Sequence, residues 1–277
     1  MAWTERQQAM LAEMGLHVWG ATEESAVSRL AEPAAVERVA GAAPGRPAVP
    51  ATATATATVA AASLAGAAVT VRAAGLDWPE LRQVVAGCTA CTLCRERRQT
   101  VFGVGHPRAH WMIVGEAPGE QEDAIGEPFV GTSGRLLDNM LRALGLGRAS
   151  GESDDPARQV YIANTVKCRP PGNRNPEPAE LAACEPYLRR QIELVQPRVI
   201  LAMGRFAVQS LLHSAEPIGR LRGRLHRCDG VPVVVTYHPA YLLRQPEEKA
   251  RAWDDLCLAW QTAQAVQAAQ AGITSSS

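Results

Sequence analysis

The chain has 277 residues, of which 47% are hydrophobic, and its 28 basic and 28 acidic side chains give a formal net charge of zero. This length and composition are sufficient for a hydrophobic core and predict a globular domain. The neutral balance argues against a protein whose whole surface coats nucleic acid, although a local group of arginines can still bind phosphates.

The N-terminal part of the chain precedes that domain as two segments. Residues 1–21 include four apolar side chains near one face of a short helix: Met10, Leu11, Met14 and Leu16. A helix this short is unstable alone in water, so we expect it to dock on its own domain or on a partner. Residues 22–75 are rich in Ala, Thr, Pro and Gly and predict a disordered, flexible linker.

Two features bear on where the protein works. The first ten residues, MAWTERQQAM, carry charges and lack the apolar centre of a signal peptide, so we expect a cytoplasmic protein whose seven cysteines are ligands or core residues. Residues 48–70 form an uncharged run, but one of Ala and Thr rather than Leu, Ile or Phe. We therefore expect no membrane span.

From residue 111 onward, short apolar runs alternate with helical periodicity, which predicts a parallel sheet covered by helices. The candidate strands are residues 111–114, 160–163, 199–202 and 231–236. One apolar stripe with helical spacing contains Leu136, Leu137, Met140, Leu141 and Leu144, and another contains Leu181, Cys184, Leu188, Ile192 and Val195.

This pattern predicts the fold class α/β, a three-layer α/β/α sandwich with a central, mostly parallel four-stranded sheet. We expect the domain to cover residues 76–265 and a disordered tail to follow at residues 266–277. Ligands of such sheets bind beyond the C-terminal ends of the strands, so the segments just after each strand are the candidate site.

Five of the cysteines form a pattern: Cys88, Cys91, Cys94, Cys168 and Cys184. The first three give C-x2-C-x2-C and two lie far downstream, which is enough thiolate for a four-cysteine site. Spacing alone decides neither between zinc and an iron–sulfur cluster nor which four cysteines are ligands. Cys184 also falls on an apolar stripe, where a free cysteine is an ordinary core residue.

The segment after the first strand, GEAPGEQED, presents carboxylates beside a tight turn at Pro118. Glu116 can orient or activate water there, whereas Glu120 and Asp123 are better explained as residues that cap the start of a helix. In the next loop, GEPFVGTSG, Phe129 is either a core anchor or a surface on which a flat base stacks, and the core is the default expectation.

The segment after the last strand begins with His238, whose backbone is restricted by the following proline. An imidazole at the end of a central strand, at the same edge as Glu116, can stabilise an anionic leaving group. Residues 241–244 place apolar side chains beside a cation, as a wedge that enters a base stack requires, or they form a helix that packs into the core.

Taken together and in this order, several motifs resemble those of the family 4 uracil-DNA glycosylases: C-x2-C from Cys88, VFGVG, GEAPGEQED, EPFVGTSG, NTVKCRPPGNRNP, a cysteine sixteen residues later, and HPAYLLR. The resemblance extends to about Trp260. It implies an α/β/α fold around a central parallel sheet. It also implies a 4Fe-4S cluster held by Cys88, Cys91, Cys168 and Cys184, with Cys94 as a spare thiol.

The resemblance further implies a reaction in which deoxyuridine leaves the base stack, because its glycosidic carbon cannot be reached inside the duplex. Phe129 would stack on the uracil and Asn164 would bond its Watson–Crick edge. Glu116 would position or activate the attacking water, and His238 would stabilise negative charge on the uracil O2.

Other residues are expected to support this reaction. Ala117, Glu122 and Asn173 complete the expected substrate-binding set, with Glu122 and Asn173 bracing the first motif against the loop after Cys168. The DNA contacts are expected from Tyr241, Leu242 and Arg244. The expected partner is uracil-containing DNA, bound by a monomer that acts in base excision repair and associates with the bacterial nucleoid when it acts.

Residues 1–21 faintly resemble the N-terminal docking peptide of a bacterial clamp-loader accessory subunit. This resemblance implies a replication or repair protein as a second partner. Co-purification with replication proteins, which deletion of residues 1–20 should abolish, tests that hypothesis.

Differences from related families narrow these expectations. Family 5 enzymes lack a carboxylate at the position of Glu116, so its presence favours narrower uracil specificity. Uracil-binding proteins that are trapped covalently on DNA carry a basic, His-containing loop near NTVKCRPPGN, which is absent here, so turnover is expected.

Two other functions remain open on the sequence. A non-catalytic uracil- or DNA-binding module is disfavoured, because a protein that only binds does not need both Glu116 and His238 at one site. A zinc-dependent nucleotide enzyme would use the cysteines directly and would be colourless. A basic stretch fits either a phosphate-binding surface or a solvated face: Arg205, Arg220, Arg222, Arg224 and Arg227.

Overall fold

The computed structural model describes residues 73–148 and 155–274, with side chains as far as residue 270. The predictions for residues 1–21, for the uncharged run at 48–70 and for all but the end of the linker lie outside the described residues. Ala73, which we assigned to the linker, is buried in the domain. Within the described residues, no helix has both the length and the apolar character needed to cross a membrane.

The described elements alternate between strands and helices over most of the chain. In chain order they are α1 (Trp78–Ala86), β1 (Val104–Gly105), β2 (Trp111–Gly115), α2 (Glu120–Ile125), α3 (Thr132–Ala143), β3 (Val160–Asn164), α4 (Pro178–Val195), β4 (Val199–Met203), α5 (Arg205–Leu212), α6 (Ile218–Leu221), β5 (Leu225–Cys228), β6 (Val231–Thr236), α7 (Pro239–Arg244) and α8 (Lys249–Thr274).

The strand order in the sheet is β1-β3-β2-β4-β6-β5. The four inner strands are parallel and are the four predicted ones, which confirms the predicted central sheet. The prediction missed the antiparallel edge strands β1 and β5. β1 has only two residues and β5 (LHRC) is largely exposed, so neither has the apolar run by which a buried strand is recognised.

Both faces of the sheet are covered by helices. Ile113 of β2 packs with the predicted stripe of α3 and with α8 on one face, whereas Met112 packs with Leu188 and Ile192 of α4 on the other. Burial on both faces explains why the inner strands are continuous apolar runs rather than alternating ones. The chain passes from β2 to β3 on one side and then to β4 on the other, which opens a crevice at the C-terminal ends of these strands.

The C-terminal helix α8 extends further than the sequence predicted. Trp253 and Leu256 are buried against the sheet, and the helix continues to Thr274. The predicted disordered tail is therefore wrong for residues 266–274. The segment VQAAQAGIT is rich in Ala and Gln, which continue a helix that packing has already started.

Adjacent leucines of α7 lie in opposite environments. Leu242 is completely buried in the core, whereas Leu243 is 41% exposed. We predict that Leu242→Ala lowers the free energy of unfolding by about 2–5 kcal/mol, because it leaves a cavity in the core. Leu243→Ala should change it by less than about 0.5 kcal/mol. Urea unfolding of both variants measures the difference, and equal effects would contradict the packing described.

Candidate active site

A cavity of about 520 Å³ opens at the C-terminal edge of the sheet, within the size range of small-molecule sites. Nine of the predicted site residues line it: Glu116, Ala117, Glu122, Phe129, Asn164, Asn173, His238, Tyr241 and Arg244. Leu242 does not line it, and our prediction that Leu242 contacts DNA is wrong. Residues 241–244 form part of a helix, and this helix turns Leu242 into the core.

Asn164 is the last residue of β3 and is only 2% exposed. Its side-chain Oδ1 is buried and has no hydrogen-bond partner among the described residues. Leaving a buried polar atom unpaired costs about 1–3 kcal/mol. Because this oxygen belongs to a residue that lines the cavity, it is a ready acceptor for a ligand.

Phe129 is held in an unusual backbone conformation, with φ at 56°. Its side chain contributes to the core and also lines the cavity, so the two roles weighed from the sequence are combined. The Phe129 ring stacks on the His238 ring with centroids 5.4 Å apart and planes 28° apart. A left-handed conformation in a non-glycine residue is strained, which is common where a site imposes a geometry.

Glu122 fixes the loop that carries Phe129. Its Oε1 accepts hydrogen bonds from the main-chain N–H groups of Val130 (3.0 Å) and Gly131 (3.1 Å), and its Oε2 accepts one from Gly119 (3.1 Å). We expected Glu122 to brace the loop after Cys168, and this partner assignment is wrong. The carboxylate satisfies main-chain donors that the turns at Gly119 and Val130 would otherwise leave unpaired.

Asn173 also differs from its predicted partnership. Its side chain is exposed at the cavity, and its Oδ1 accepts a hydrogen bond from Arg169 Nε at 2.7 Å within the same loop. The segment GEAPGEQED contacts this loop instead through an ion pair between Glu120 and Arg169, whose charged atoms are 3.8 Å apart. Asn173 therefore shapes its own loop, where its φ of 55° marks a sharp turn.

Glu116 follows β2 directly, and its main-chain carbonyl accepts hydrogen bonds from the Thr165 hydroxyl and the Val166 N–H. Its carboxylate has no hydrogen-bond or ion-pair partner among the described residues. Burial raises the pKa of Glu116, and the positive charge of Arg205 opposes that rise. A partly buried carboxylate of this kind can accept a proton from a bound water molecule.

His238 caps the N-terminus of α7, where its Nδ1 accepts a hydrogen bond from the Ala240 N–H at 3.2 Å. A neutral imidazole that accepts at Nδ1 carries its proton on Nε2. Burial, with a smaller effect from the Arg244 charge, lowers the pKa of His238 to about 4. The side chain is therefore neutral at pH 7 and offers an Nε2–H donor.

The cysteines gather around a second, smaller cavity. It is lined by Cys88, Cys91, Cys94, Cys168 and Cys184, together with Arg97, Lys167 and Tyr187. Arg97 Nη1 donates to Cys168 Sγ at 3.0 Å, and its Nη2 donates to the Cys88 carbonyl at 2.8 Å. One guanidinium thus connects two of the cysteine-bearing segments.

The chemistry of this cavity suits soft metals, because its donors are thiols. Burial raises the pKa of Cys168 to about 11, even beside Arg97, and that of Cys184 to about 12, so both thiols stay protonated at neutral pH unless a metal ion binds them. Among the residues described, no three His, Cys, Asp or Glu side chains are arranged to hold a single metal ion. Cys184 is both a core residue and part of the cavity wall.

The arginines of the basic stretch have different surroundings in the structure. Arg205 lines a groove of about 620 Å³ that shares Glu116, His238 and Arg244 with the first cavity. Arg222 instead forms a 3.0 Å ion pair with the buried Asp255. A binding surface is therefore supported for Arg205 and not for the whole stretch.

Lys167 and Gln191 are two polar residues next to the site that we did not select from the sequence. Both are buried, and they are hydrogen-bonded to each other at 2.7 Å. A single lysine within NTVKC carries no sequence signal of burial, since lysine is ordinarily exposed.

Comparison with known proteins identifies the class to which this fold and site belong. The sequence model of the uracil DNA glycosylase superfamily matches residues 102–257, more than half of the chain. The chain therefore belongs to the uracil DNA glycosylase superfamily.

Individual relatives narrow this assignment. The chain is 39% identical over 191 residues to a type-4 uracil-DNA glycosylase of Pyrobaculum aerophilum, covering 66% of this chain and 93% of the relative. It is 40% identical over 171 residues to that of Archaeoglobus fulgidus (59% and 81%) and 41% identical over 178 residues to that of Thermotoga maritima (62% and 88%). Within the superfamily, the chain belongs to the type-4 uracil-DNA glycosylases.

The charge of Arg205 should be measurable in the titration of Glu116. We predict that Arg205→Gln raises the pKa of Glu116, because it removes the positive charge that stabilises the ionised carboxylate. Arg205→Lys is the matched control that keeps a cation and should shift the pKa less. Carboxyl ¹³C NMR titration, assigned with Glu116→Gln, measures these values. An unchanged or lowered pKa in Arg205→Gln would contradict the electrostatic account.

Proposed function

We propose that this chain excises uracil from DNA: it binds a deoxyuridine extruded from the helix and hydrolyses the N-glycosidic bond, leaving an abasic site for base excision repair. The observation that carries this proposal is the buried, unpartnered Oδ1 of Asn164 in a cavity that also contains Phe129, Glu116 and His238. Membership of the type-4 uracil-DNA glycosylases supports the same reaction.

Base recognition follows from the cavity lining. The Phe129 ring stacks on the base, because both are flat aromatic rings. Asn164 Oδ1 accepts the uracil N3–H, and its Nδ2 donates to O4. Cytosine has no N3–H and presents an amino group at position 4, so both contacts fail. A buried amide left unpaired in this way rejects the wrong base strongly.

Hydrolysis uses Glu116 and His238, which both line the cavity. Water attacks the sugar C1′ as the bond from C1′ to the uracil N1 breaks, and the Glu116 carboxylate accepts the proton that the water loses. The bonding electron pair leaves with uracil, whose negative charge spreads from N1 to O2. The neutral His238 donates its Nε2–H to O2, so it stabilises this anion with a preorganised hydrogen bond.

The DNA strand is expected to follow the groove beside the cavity. Tyr241 and Arg244 line both the cavity and the groove, and Arg205 adds a cation for the phosphates. Within the predicted wedge segment 241–244, Leu242 is buried and Leu243 is exposed, so we assign the wedge role to Leu243.

The cysteine cavity fits an iron–sulfur cluster, because its donor set is all thiol and Arg97 and the Ala90 N–H donate hydrogen bonds to two of its sulfurs. We propose Cys88, Cys91, Cys168 and Cys184 as the ligands of a 4Fe-4S cluster, leaving Cys94 free. When bound, the cluster supplies a cross-link between the segment after α1, the loop after β3 and helix α4.

We predict that the wild-type protein is brown and converts DNA with one labelled uracil into abasic product. Glu116→Gln should slow single-turnover excision by about 100-fold to 10,000-fold, and His238→Ala by about 100-fold to 1,000-fold. Glu247→Gln is the matched control, since Glu247 is exposed and lies outside the linings of the cavity and the groove.

The visible spectrum and iron content of each variant must stay at the wild-type level for this comparison. Tight binding of uracil-containing DNA without product would favour a binding module over an enzyme. A colourless, zinc-containing active protein would contradict the cluster assignment alone.

A further inference from the structure

Lys167 is a buried lysine whose hydrogen-bond partners are neutral. It is 1% exposed and lines the cysteine cavity. Its Nζ donates two hydrogen bonds, to the Asn164 carbonyl and to Gln191 Oε1, both at 2.7 Å. Neutral acceptors compensate only part of the cost of removing a charge from water. A lysine on the surface would not bear this desolvation cost. The burial of Lys167 is therefore explained by what its ammonium does for its hydrogen-bond partners.

The contacts of Gln191 fix the orientation of its side-chain amide relative to Lys167 Nζ. It is completely buried in α4, and its Nε2 donates to the Phe102 carbonyl at 2.9 Å and to the Tyr161 hydroxyl at 3.1 Å. With both amide protons used, Oε1 is the atom left to face Lys167. Cys184 lies seven residues earlier on the same helix, two turns away and on the same face.

Lys167 lies between the cysteine cavity and the cavity that we propose for uracil. It precedes Cys168 in the chain and lines the cysteine cavity together with Cys184. Its side chain reaches Asn164, which lines the uracil cavity. Through Gln191, the same ammonium is attached to the helix that carries Cys184.

We propose that Lys167 is a positioning residue for uracil recognition: it holds the main chain at Asn164, and through Gln191 it makes the placement of the Asn164 amide depend on the cysteine cavity. The inference rests on the proposed function, because it gives Asn164 the task of reading the base. The Asn164 carbonyl and side chain leave the same Cα, so fixing the peptide plane restricts the direction of the amide. An error of about 1 Å in a positioning group is enough to slow catalysis about 100-fold.

A double-mutant cycle between Lys167 and Asn164 tests this proposal. Lys167→Met keeps an unbranched side chain but removes both hydrogen bonds. We expect it to slow single-turnover uracil excision at least 10-fold, with iron content and thermal midpoint close to wild type. If Lys167 acts through Asn164, Lys167→Met should slow Asn164→Ala by less than about two-fold, because the group to be positioned is already absent. If Lys167 acts independently of Asn164, the double variant should instead lose rate by the product of the two single-variant factors.

Two further sets of variants control the interpretation. Arg97→Met removes a cation from the same cysteine cavity, but Arg97 contacts Cys168, Cys88 and Ala86 rather than Asn164. The loss of excision rate in Arg97→Met should therefore multiply with the loss in Asn164→Ala when the two substitutions are combined. Gln191→Leu removes the acceptor for Lys167 Nζ and should slow excision as Lys167→Met does.

The outcomes separate this inference from the proposed function. Wild-type protein that binds iron but never excises uracil overturns both. An active wild type with a multiplicative Lys167–Asn164 cycle, or with rate losses that only follow iron loss, overturns the inference alone. If Lys167→Met does not fold, the same cycle with Gln191→Leu decides by the same criteria.

Discussion

The close approach of Asn164 and Phe129 across Gly115 is the constraint on which the site depends. A Cβ atom at Gly115 would lie 2.5 Å from Asn164 Oδ1 and 2.6 Å from Phe129 Cζ, closer than real contacts allow. Glycine at the end of β2 therefore lets the amide and the ring converge on one cavity. The same edge carries Glu116, directly after Gly115, and His238, after β6, so the sheet brings together the residues that we propose for base recognition and hydrolysis.

Around this constraint, main-chain hydrogen bonds do much of the positioning. Glu122 ties the turn after β2 to the loop that carries Phe129, and His238 is oriented as the N-cap of α7. Lys167 extends the same principle to Asn164 and connects it with the cysteine cavity. The groups that we propose for recognition and hydrolysis are thus held by neighbours that need not touch the substrate, as a preorganised site requires.

The sequence predicted those features that depend on local pattern and on the geometry of parallel sheets. The four inner strands are apolar runs, and segments that follow such strands meet at one edge, so the segments that carry the site could be selected in advance. Within them, Asn164 and Asn173 were selected from the family resemblance. Pattern could not reveal contacts between distant residues. Lys167 and Gln191 are 24 residues apart, and the partners of Glu122 depend on how the Phe129 loop folds back. Leu242 and Leu243 look alike in sequence, and only the start of α7 decides which is buried.

The central claim is that the Asn164 amide reads the N3–H edge of uracil. The most direct measurement compares single-turnover excision of uracil and N3-methyluracil from the same DNA by wild type and by Asn164→Ala. The account predicts that wild type prefers uracil by at least about 100-fold, because the methylated base offers no donor to the buried oxygen. Asn164→Ala should excise both slowly and at similar rates. Equal excision of both bases by wild type, or undiminished preference in Asn164→Ala, would contradict it.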